Sequence, residues 1–224
     1  MKLYTFPASP GCRPIAMFIA DHKMEVEQQV VDLMSGEQYQ PTFTAINPNN
    51  AVPVLEDGSF RLTESSAILK YLADIVDSRT YPRELRARAH VNAAMDWVNT
   101  GLYPAFGHNL CYPQVLSNVK WEDAGVQTQV LGRGQTRSRK LLGVMNDAML
   151  GANNSFLCGE VLSLADYLAS GIISLGELTG CDFSPWPNVQ RWYRRMEATP
   201  NWQMANAPLY EWAKHTKGQE YVRV

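Results

Sequence analysis

Up to residue 78 the sequence alternates strand-like and helix-like segments, and beyond that point the strand patterns stop. A chain organised in this way folds as an α/β unit followed by a helical one, because each period buries its apolar face against a different kind of layer. Lys2-Leu3-Tyr4-Thr5-Phe6 alternates polar and apolar positions as a half-buried strand does. Pro7 and Ser9-Pro10-Gly11 break it into a loop, and Pro14 suits the first turn of a helix whose apolar face holds Ile15, Phe18 and Ile19. Glu27 to Leu33 repeats the strand pattern, and a short helical or irregular segment then runs to Ile46-Asn47-Pro48 and a turn at Asn49-Asn50. Val52 to Leu55 and Phe60 to Leu62 flank Glu56-Asp57-Gly58-Ser59, which predicts an antiparallel hairpin with Asp-Gly as its turn signal. Ile68, Tyr71, Leu72, Ile75 and Val76 place a one-sided stripe on the helix that closes the unit, giving the order βαβαββα.

The remainder reads as helices. Val91, Ala94, Met95, Val98 and Leu102 share a face, and Pro104 is expected to bend or end that helix. Leu141, Leu142, Met145 and Met149 share another, and Leu164, Leu168, Ile172, Leu175 and Leu178 mark a buried central helix. Ser163-Leu164-Ala165-Asp166 has the spacing of a capping box at its start. The fold class is therefore an α/β unit followed by an all-α bundle. Its predicted parts are residues 1–78, a linker at 79–84, and a helical domain over 85–224. Charge divides along the same line: residues 1–78 carry 5 basic and 10 acidic side chains, residues 79–224 carry 15 and 12.

The 224-residue total is nearly neutral at −2, which argues against nucleic acid or an anionic membrane as a partner. No apolar run approaches the ~18–20 residues of a membrane span, and the N-terminus lacks a signal-peptide apolar region, so a cytoplasmic protein is expected. Cys12, Cys111, Cys158 and Cys181 show neither a disulfide framework nor metal-ligand spacing, and each reads as a small buried hydrophobe. The histidines show no triad or metal spacing, and no metal is expected.

Chemistry concentrates in two places. Ser9-Pro10-Gly11-Cys12 stands between a strand and the helix it feeds, where free N–H groups and the positive end of the helix dipole stabilise an anion or a thiolate. The spacing S-x-x-C lacks the first cysteine of a C-x-x-C thiol site, so an attacking sulfur would arrive with a bound thiol. Cys12 then reads as a packed helix residue. Arg13 opposes the dipole, and either pairs with a carboxylate in a structural salt bridge, the expected role, or adds positive potential over the site. The second place is Val52-Pro53 with Glu64-Ser65-Ser66. A cis bond at Val52-Pro53 would turn the Val52 backbone outward toward a peptide-like ligand. The Glu64-Ser65-Ser66 helix start either grips a carboxylate and an ammonium group or serves as an N-cap.

Together these segments resemble the glutathione transferase family over nearly the whole chain, and the resemblance implies a thioredoxin-like α/β domain over residues 1–78 before the all-α bundle. Within the family, serine three positions before Cys-Arg is similar to the theta and delta classes and to related bacterial dehalogenases. The resemblance implies a transferase that conjugates glutathione, its co-substrate, to small hydrophobic electrophiles such as alkyl halides and epoxides, working as a homodimer. It implies that Ser9 stabilises the glutathione thiolate, that Val52 beside Pro53 pairs with the cysteinyl part, and that Glu64 and Ser65 hold the γ-glutamyl group. Asn50 falls where relatives often carry histidine or lysine toward the glycine carboxylate, and Ser66 where the delta class often has arginine. Gln38 or Gln40 would help at the glycyl end. Tyr103, Phe106, His108, Leu110 and Tyr112 would line the electrophile pocket. The alternatives are a glutathione-binding protein without turnover and a Cys12-dependent thiol-disulfide enzyme.

Overall fold

The computed structural model describes all 224 residues. Strand β1 (Lys2–Thr5) leads through α1 (Arg13–Asp21) to β2 (Glu27–Val30), which lies parallel to β1, and then to the short helix α2 (Pro41–Thr44). Strands β3 (Val54–Asp57) and β4 (Phe60–Thr63) form the expected hairpin, and α3 (Ser65–Ile75) closes the βαβαββα unit with sheet order β2-β1-β3-β4. Two details differ from the sequence reading. Asp57 pairs with Phe60, so the loop is the two residues Gly58-Ser59, and Gly58 at φ 59° supplies the left-handed conformation of its first position. The second strand stops at Val30 instead of Leu33, because Val31 and Leu33 turn in to pack under the loops.

The alternation of β1 divides its side chains between two cores. Leu3 joins a large cluster with Ile15, Phe18, Leu55, Ile68 and Leu72, which continues without a break into Leu102, Phe106, Leu164, Leu168 and Trp192 of the helical part. Tyr4 points to the other face, where Val31, Phe43 and Val54 make a small core against which Ile46 and Val52 pack. That second core supports the loops bearing Ser9 and Val52.

After α3 comes α4 (Leu85–Trp97), then a π-helical stretch over Val98–Cys111 that passes into α5 (Tyr112–Val115). Pro104 lies inside this run and does not end it. Helix α6 (Ala124–Val144) packs along the π-helical stretch. All ten residues of α7 (Leu164–Ile173) are buried, as its apolar stripe predicts. The capping box forms at its start, where Asp166 accepts the Ser163 N–H at 2.9 Å and reaches on to the Trp192 indole N–H at 2.8 Å. Helices α8 (Gly176–Thr179), α9 (Pro187–Glu197) and α10 (Trp202–Thr216) complete the bundle. No helix is long and apolar enough to cross a membrane.

Helix α7 lies hard against the start of α1. A Cβ added at Gly171 would collide with the Pro10 carbonyl oxygen and come within 2.6 Å of Pro14 Cγ. Replacing Gly171 by alanine therefore has to push α7 away from the Ser9 loop. Overpacking of this kind costs about 1–3 kcal/mol, and at ~2–4 °C per kcal/mol the thermal midpoint should fall by roughly 2–12 °C in calorimetry. An unchanged midpoint would show that the contact yields freely.

Candidate active site

Ser9 sits at the bend between β1 and α1. The turn is fixed by its own backbone, since the Ser9 N–H donates to the Phe6 carbonyl at 2.9 Å and the Ser9 carbonyl accepts from Cys12 and Arg13. The Gly11 N–H donates to Ser9 Oγ at 3.3 Å, so the oxygen is used as an acceptor and the hydroxyl proton remains to be given elsewhere. Ser9 does not cap α1. The N-cap is Cys12, which makes no side-chain cap.

Behind the serine, Cys12 is 1% exposed and its thiol touches the Phe6 backbone, Thr5 and Ser9. Burial pushes that thiol up from its ordinary pKa, against the lowering effect of those contacts. A buried thiol held protonated, off the cavity wall and with no second cysteine beside it, has no sulfur to pair with. Cys12 is thus the packed residue that its helical position suggested.

Arg13 overturns its expected salt bridge. It is 2% exposed and faces no carboxylate; its guanidinium donates to the Ala8 carbonyl at 3.3 Å, Ser174 Oγ at 2.8 Å, the Gly171 carbonyl at 2.9 Å and Asn206 Oδ1. Three of those acceptors belong to α7, its C-terminal edge and α10. Desolvation lowers the guanidinium to about 10, still far above neutrality, so a charged side chain ties the Ser9 loop to the helical bundle.

In front of Ser9 opens a cavity of ≈ 840 Å³. The Phe6–Pro10 loop, the Asn50–Val52 loop and the segment carrying Leu33, Met34 and Gln38 form one side of it. Tyr103, His108 and Tyr112 form the other with Leu116, and Pro208, Glu211, Trp212 and His215 of α10 close it. The peptide bond between Val52 and Pro53 is cis, and the Val52 N–H and carbonyl make no hydrogen bond within the protein. Asn47, 2% exposed, shapes this loop: its Nδ2 donates to the Ala51 carbonyl at 2.7 Å and its Oδ1 accepts the Asn49 N–H at 3.0 Å. Asn50 follows in the left-handed region that asparagine tolerates, at φ 55°. Two side-chain oxygens at the cavity, Asn50 Oδ1 and Gln38 Oε1, are buried and unpartnered. A buried polar atom without a partner costs about 1–3 kcal/mol, so this wall is incomplete until a polar ligand meets it.

Glu64 and Ser65 lie beside the cavity rather than in its wall. Ser65 Oγ stands 2.6 Å from where a Gly11 Cβ would be, which places it against the Ser9-to-Cys12 turn. Glu64 makes no side-chain cap for α3; it is exposed, unpaired, and held at φ 68°. Such a conformation in a non-glycine residue costs on the order of 1–3 kcal/mol and is concentrated at ligand clamps. Pro53 is buried behind Val52, and Ser66 Oγ accepts from Asn99 Nδ2 of the π-helical stretch at 3.1 Å. Gln40 is exposed and off the cavity, so Gln38 is the glutamine on its wall.

The aromatic wall divides in a way that α-helical spacing does not anticipate. Tyr103, His108 and Tyr112 reach the cavity, while Phe106 and Leu110 are fully buried in the large core. The cause is the π-helical winding. With i→i+5 bonding the turn widens to roughly four to five residues, so positions 103, 108 and 112 superpose on one face and 106 and 110 rotate to the back. The rings of Tyr103 and His108 are 4.4 Å apart, and the Tyr103 and Tyr112 hydroxyls lie 3.1 Å from each other. Partial burial lowers the His108 imidazole below its usual value, which keeps it neutral at pH 7. The residues from α10 were not expected at all. Trp212 stood in an aromatic-rich tail, but nothing local in the sequence shows that the last helix returns to the first loop.

The residues present fit a small peptide bearing a thiol. The cavity offers an unpaired main-chain N–H and carbonyl at Val52, two unpartnered amide oxygens and a hydroxyl at the loop before a helix, the groups that a peptide backbone, a ligand N–H and a thiol would each need. The opposite wall suits an apolar molecule. Comparison with known proteins leads to the same class. Residues 1–74 match the family model "Glutathione S-transferase, N-terminal domain" and residues 122–200 its C-terminal domain. Human glutathione S-transferase theta-1 is 33% identical over 205 residues, covering 88% of this chain and 82% of that protein. Among solved structures, apo human glutathione-S-transferase T1-1 superposes with a TM-score of 0.85 at 30% identity, over 99% of this chain and 92% of that one. Human glutathione transferase theta-2, solved in complex with glutathione and an unknown ligand, gives 0.85 at 28% identity, over 100% and 93%.

Proposed function

The chain belongs to the glutathione S-transferase family, and from that premise we propose that it transfers the thiolate of glutathione to small apolar electrophiles, alkyl halides and epoxides among them, with Ser9 as the thiolate-stabilising residue. One observation carries the reading: the Ser9 hydroxyl and the unpaired Val52 backbone open into a single cavity whose facing wall is Tyr103, His108 and Tyr112.

The chemistry follows from charge. A hydroxyl aimed at sulfur donates to a thiolate far better than to a thiol, and so lowers the thiol's pKa. Bringing a thiol from about 8.5 to about 6.5 takes roughly 2.7 kcal/mol. One hydrogen bond to a charged acceptor, at ~1.5–3 kcal/mol, supplies most of it, and the N-terminus of α1 adds to it. Ser9 keeps its proton throughout. Val52 holds the peptide in register, Glu64 and Ser65 take the γ-glutamyl ammonium and carboxylate, and the orphan oxygens of Asn50 and Gln38 accept from ligand N–H groups toward the glycyl end. The aromatic wall excludes water and presents the electrophilic carbon; a C–S bond forms as the C–halogen bond breaks and halide departs, or as one epoxide C–O bond opens to an alkoxide that stays on the product and takes a proton from solvent. A homodimer in the cytoplasm completes the proposal, with exposed Phe60, Ile75 and Leu85 as apolar surface for a second copy to cover.

The test is glutathione consumption by the purified protein against a panel of small halides and epoxides. Turnover with at least one class is expected, and Asn50→Ala should raise KM for glutathione about 2- to 10-fold with kcat nearly unchanged, as the loss of a hydrogen bond made equally in ground and transition states requires. Saturable glutathione binding without turnover on any electrophile would leave a binding protein in its place.

A further inference from the structure

Away from the cavity, the fold brings two cysteines from distant parts of the chain to one spot. Cys111 is the last residue of the π-helical stretch and is completely buried, whereas Cys181 follows α8 and is partly open to solvent. The Thr179 hydroxyl stands 4.0 Å from Cys111 Sγ and 3.4 Å from Cys181 Sγ, so one side chain lies against both thiols and brings the two sulfurs into the same neighbourhood. The position of Cys181 is set by its backbone. Gly180, in the left-handed region at φ 65°, turns the chain out of α8, and the Cys181 N–H donates to the Gly176 carbonyl at 2.9 Å. The chain end is drawn over the same spot: Gln114 holds both the N–H and the carbonyl of Val222, and Gln135 donates to the Arg223 carbonyl.

We propose that Cys111 and Cys181 form a reversible intramolecular disulfide on exposure to peroxide, and that this bond adjusts the cavity wall carried by the π-helical stretch. The steps balance with hydrogen peroxide as oxidant. The Cys181 thiolate attacks one peroxide oxygen; an S–O bond forms, the O–O bond breaks, and hydroxide leaves. Cys111, giving its proton to that hydroxide, then attacks the Cys181 sulfur; the S–S bond forms, the S–O bond breaks, and a second hydroxide departs and is protonated by solvent. Two thiol sulfurs are oxidised by two electrons, and the peroxide is reduced to water.

The environment sorts the sulfurs into those roles. Contact with Cys111, the Thr179 hydroxyl, the Val224 backbone and the Arg223 cation lower Cys181 to about 7 in spite of its burial, so a large fraction is thiolate at neutral pH. Burial pushes Cys111 well up, so it stays protonated until the hydroxide released beside it takes its proton, and it attacks second. Cys12 and Cys158 are also pushed up by burial and lack a second cysteine beside them. Cys111 adjoins Tyr112 on the cavity wall, which couples the bond to the pocket.

This inference does not depend on the transferase reading, and its first test does not use activity. The full chain, reduced and then treated with millimolar hydrogen peroxide, should fall from four titratable thiols to two and yield a peptide cross-linked through Cys111 and Cys181 by mass spectrometry. Dithiothreitol should restore all four. Retention of four thiols, cross-links between copies, or accumulation of Cys181 sulfinic acid without the cross-link would overturn the proposal, and none of these outcomes requires a variant to fold. Cys111→Ser should trap Cys181 as a sulfenic acid reactive to dimedone. If the disulfide forms but the KM for the electrophile is the same before and after oxidation, its influence on the pocket is refuted.

Discussion

Replacing Ser9 by alanine should lower kcat/KM by about 10- to 100-fold, the equivalent of one hydrogen bond to a charged acceptor at ~1.5–3 kcal/mol. The loss should be pH-dependent, and the sign is fixed by which form is reactive. Only the thiolate attacks, so kcat/KM rises with pH through the pKa of the bound thiol. Without the serine that pKa should move up by about 1–2 units, and the rising limb should move with it. The deficit is then largest near pH 6–7 and shrinks above pH 9, where both proteins hold thiolate. Ultraviolet absorbance of the bound thiolate, titrated in parallel, separates this role from a structural one: coincident titrations would mean that Ser9 only shapes the turn through its bond with Gly11. Ser9→Thr keeps the hydroxyl and should recover part of the loss.

The largest stability effect is expected at Arg13, which a reader of the sequence would place on the surface in a salt bridge. Its guanidinium is instead shared among Ala8, Gly171, Ser174 and Asn206, and each acceptor is buried with it. Arg13→Ala takes this donor from the Ala8 carbonyl and Asn206 Oδ1, while the Gly171 carbonyl keeps the Ser174 hydroxyl at 3.0 Å, in a space that also lacks the aliphatic stem. With two of them unsatisfied, at ~1–3 kcal/mol each, the loss is about 2–6 kcal/mol, or roughly 4–24 °C in thermal midpoint. Arg13→Lys restores the charge but cannot spread donors in a planar fork, and should recover less than half. Calorimetry on the three proteins decides it; equal midpoints would show that the acceptors find water in place of the side chain. Because the acceptors lie on helices of the bundle, Arg13→Ala should also lower activity at temperatures where the protein is still folded, since the Ser9 loop loses its anchor.

How far the sequence could be read depended on the range of the cause. The βαβαββα order was legible because Pro, Gly and the two periods act locally, and the same holds for the Ser163–Asp166 cap. At Val52-Pro53 the sequence raised a cis bond as a condition, and the bond is cis. Arg13 misled because its partners are neutral atoms of distant helices, and sequence reasoning supplies charges with opposite charges by default. Phe106 and Leu110 were placed on the pocket for a related reason: the eye applies an α-helical turn to any helical segment, and nothing in Val98–Cys111 announces a wider one apart from Pro104. The contribution of α10 to the cavity was invisible because it is a property of the bundle's closure and of no residue in it.

The wide turn of that stretch also sets the grammar for any attempt to redirect the enzyme. A library that randomises every third or fourth position from Tyr103 would spend its diversity on Phe106 and Leu110 and return unfolded protein, whereas one confined to Tyr103, His108 and Tyr112 would vary the cavity wall. For the same reason, removing one residue between Tyr103 and Tyr112 is no small edit. It would rewind the segment toward an ordinary helix, swing His108 off the wall and bring core side chains to face the cavity. The shape of the cavity is written in the pitch of the backbone as much as in the side chains it carries.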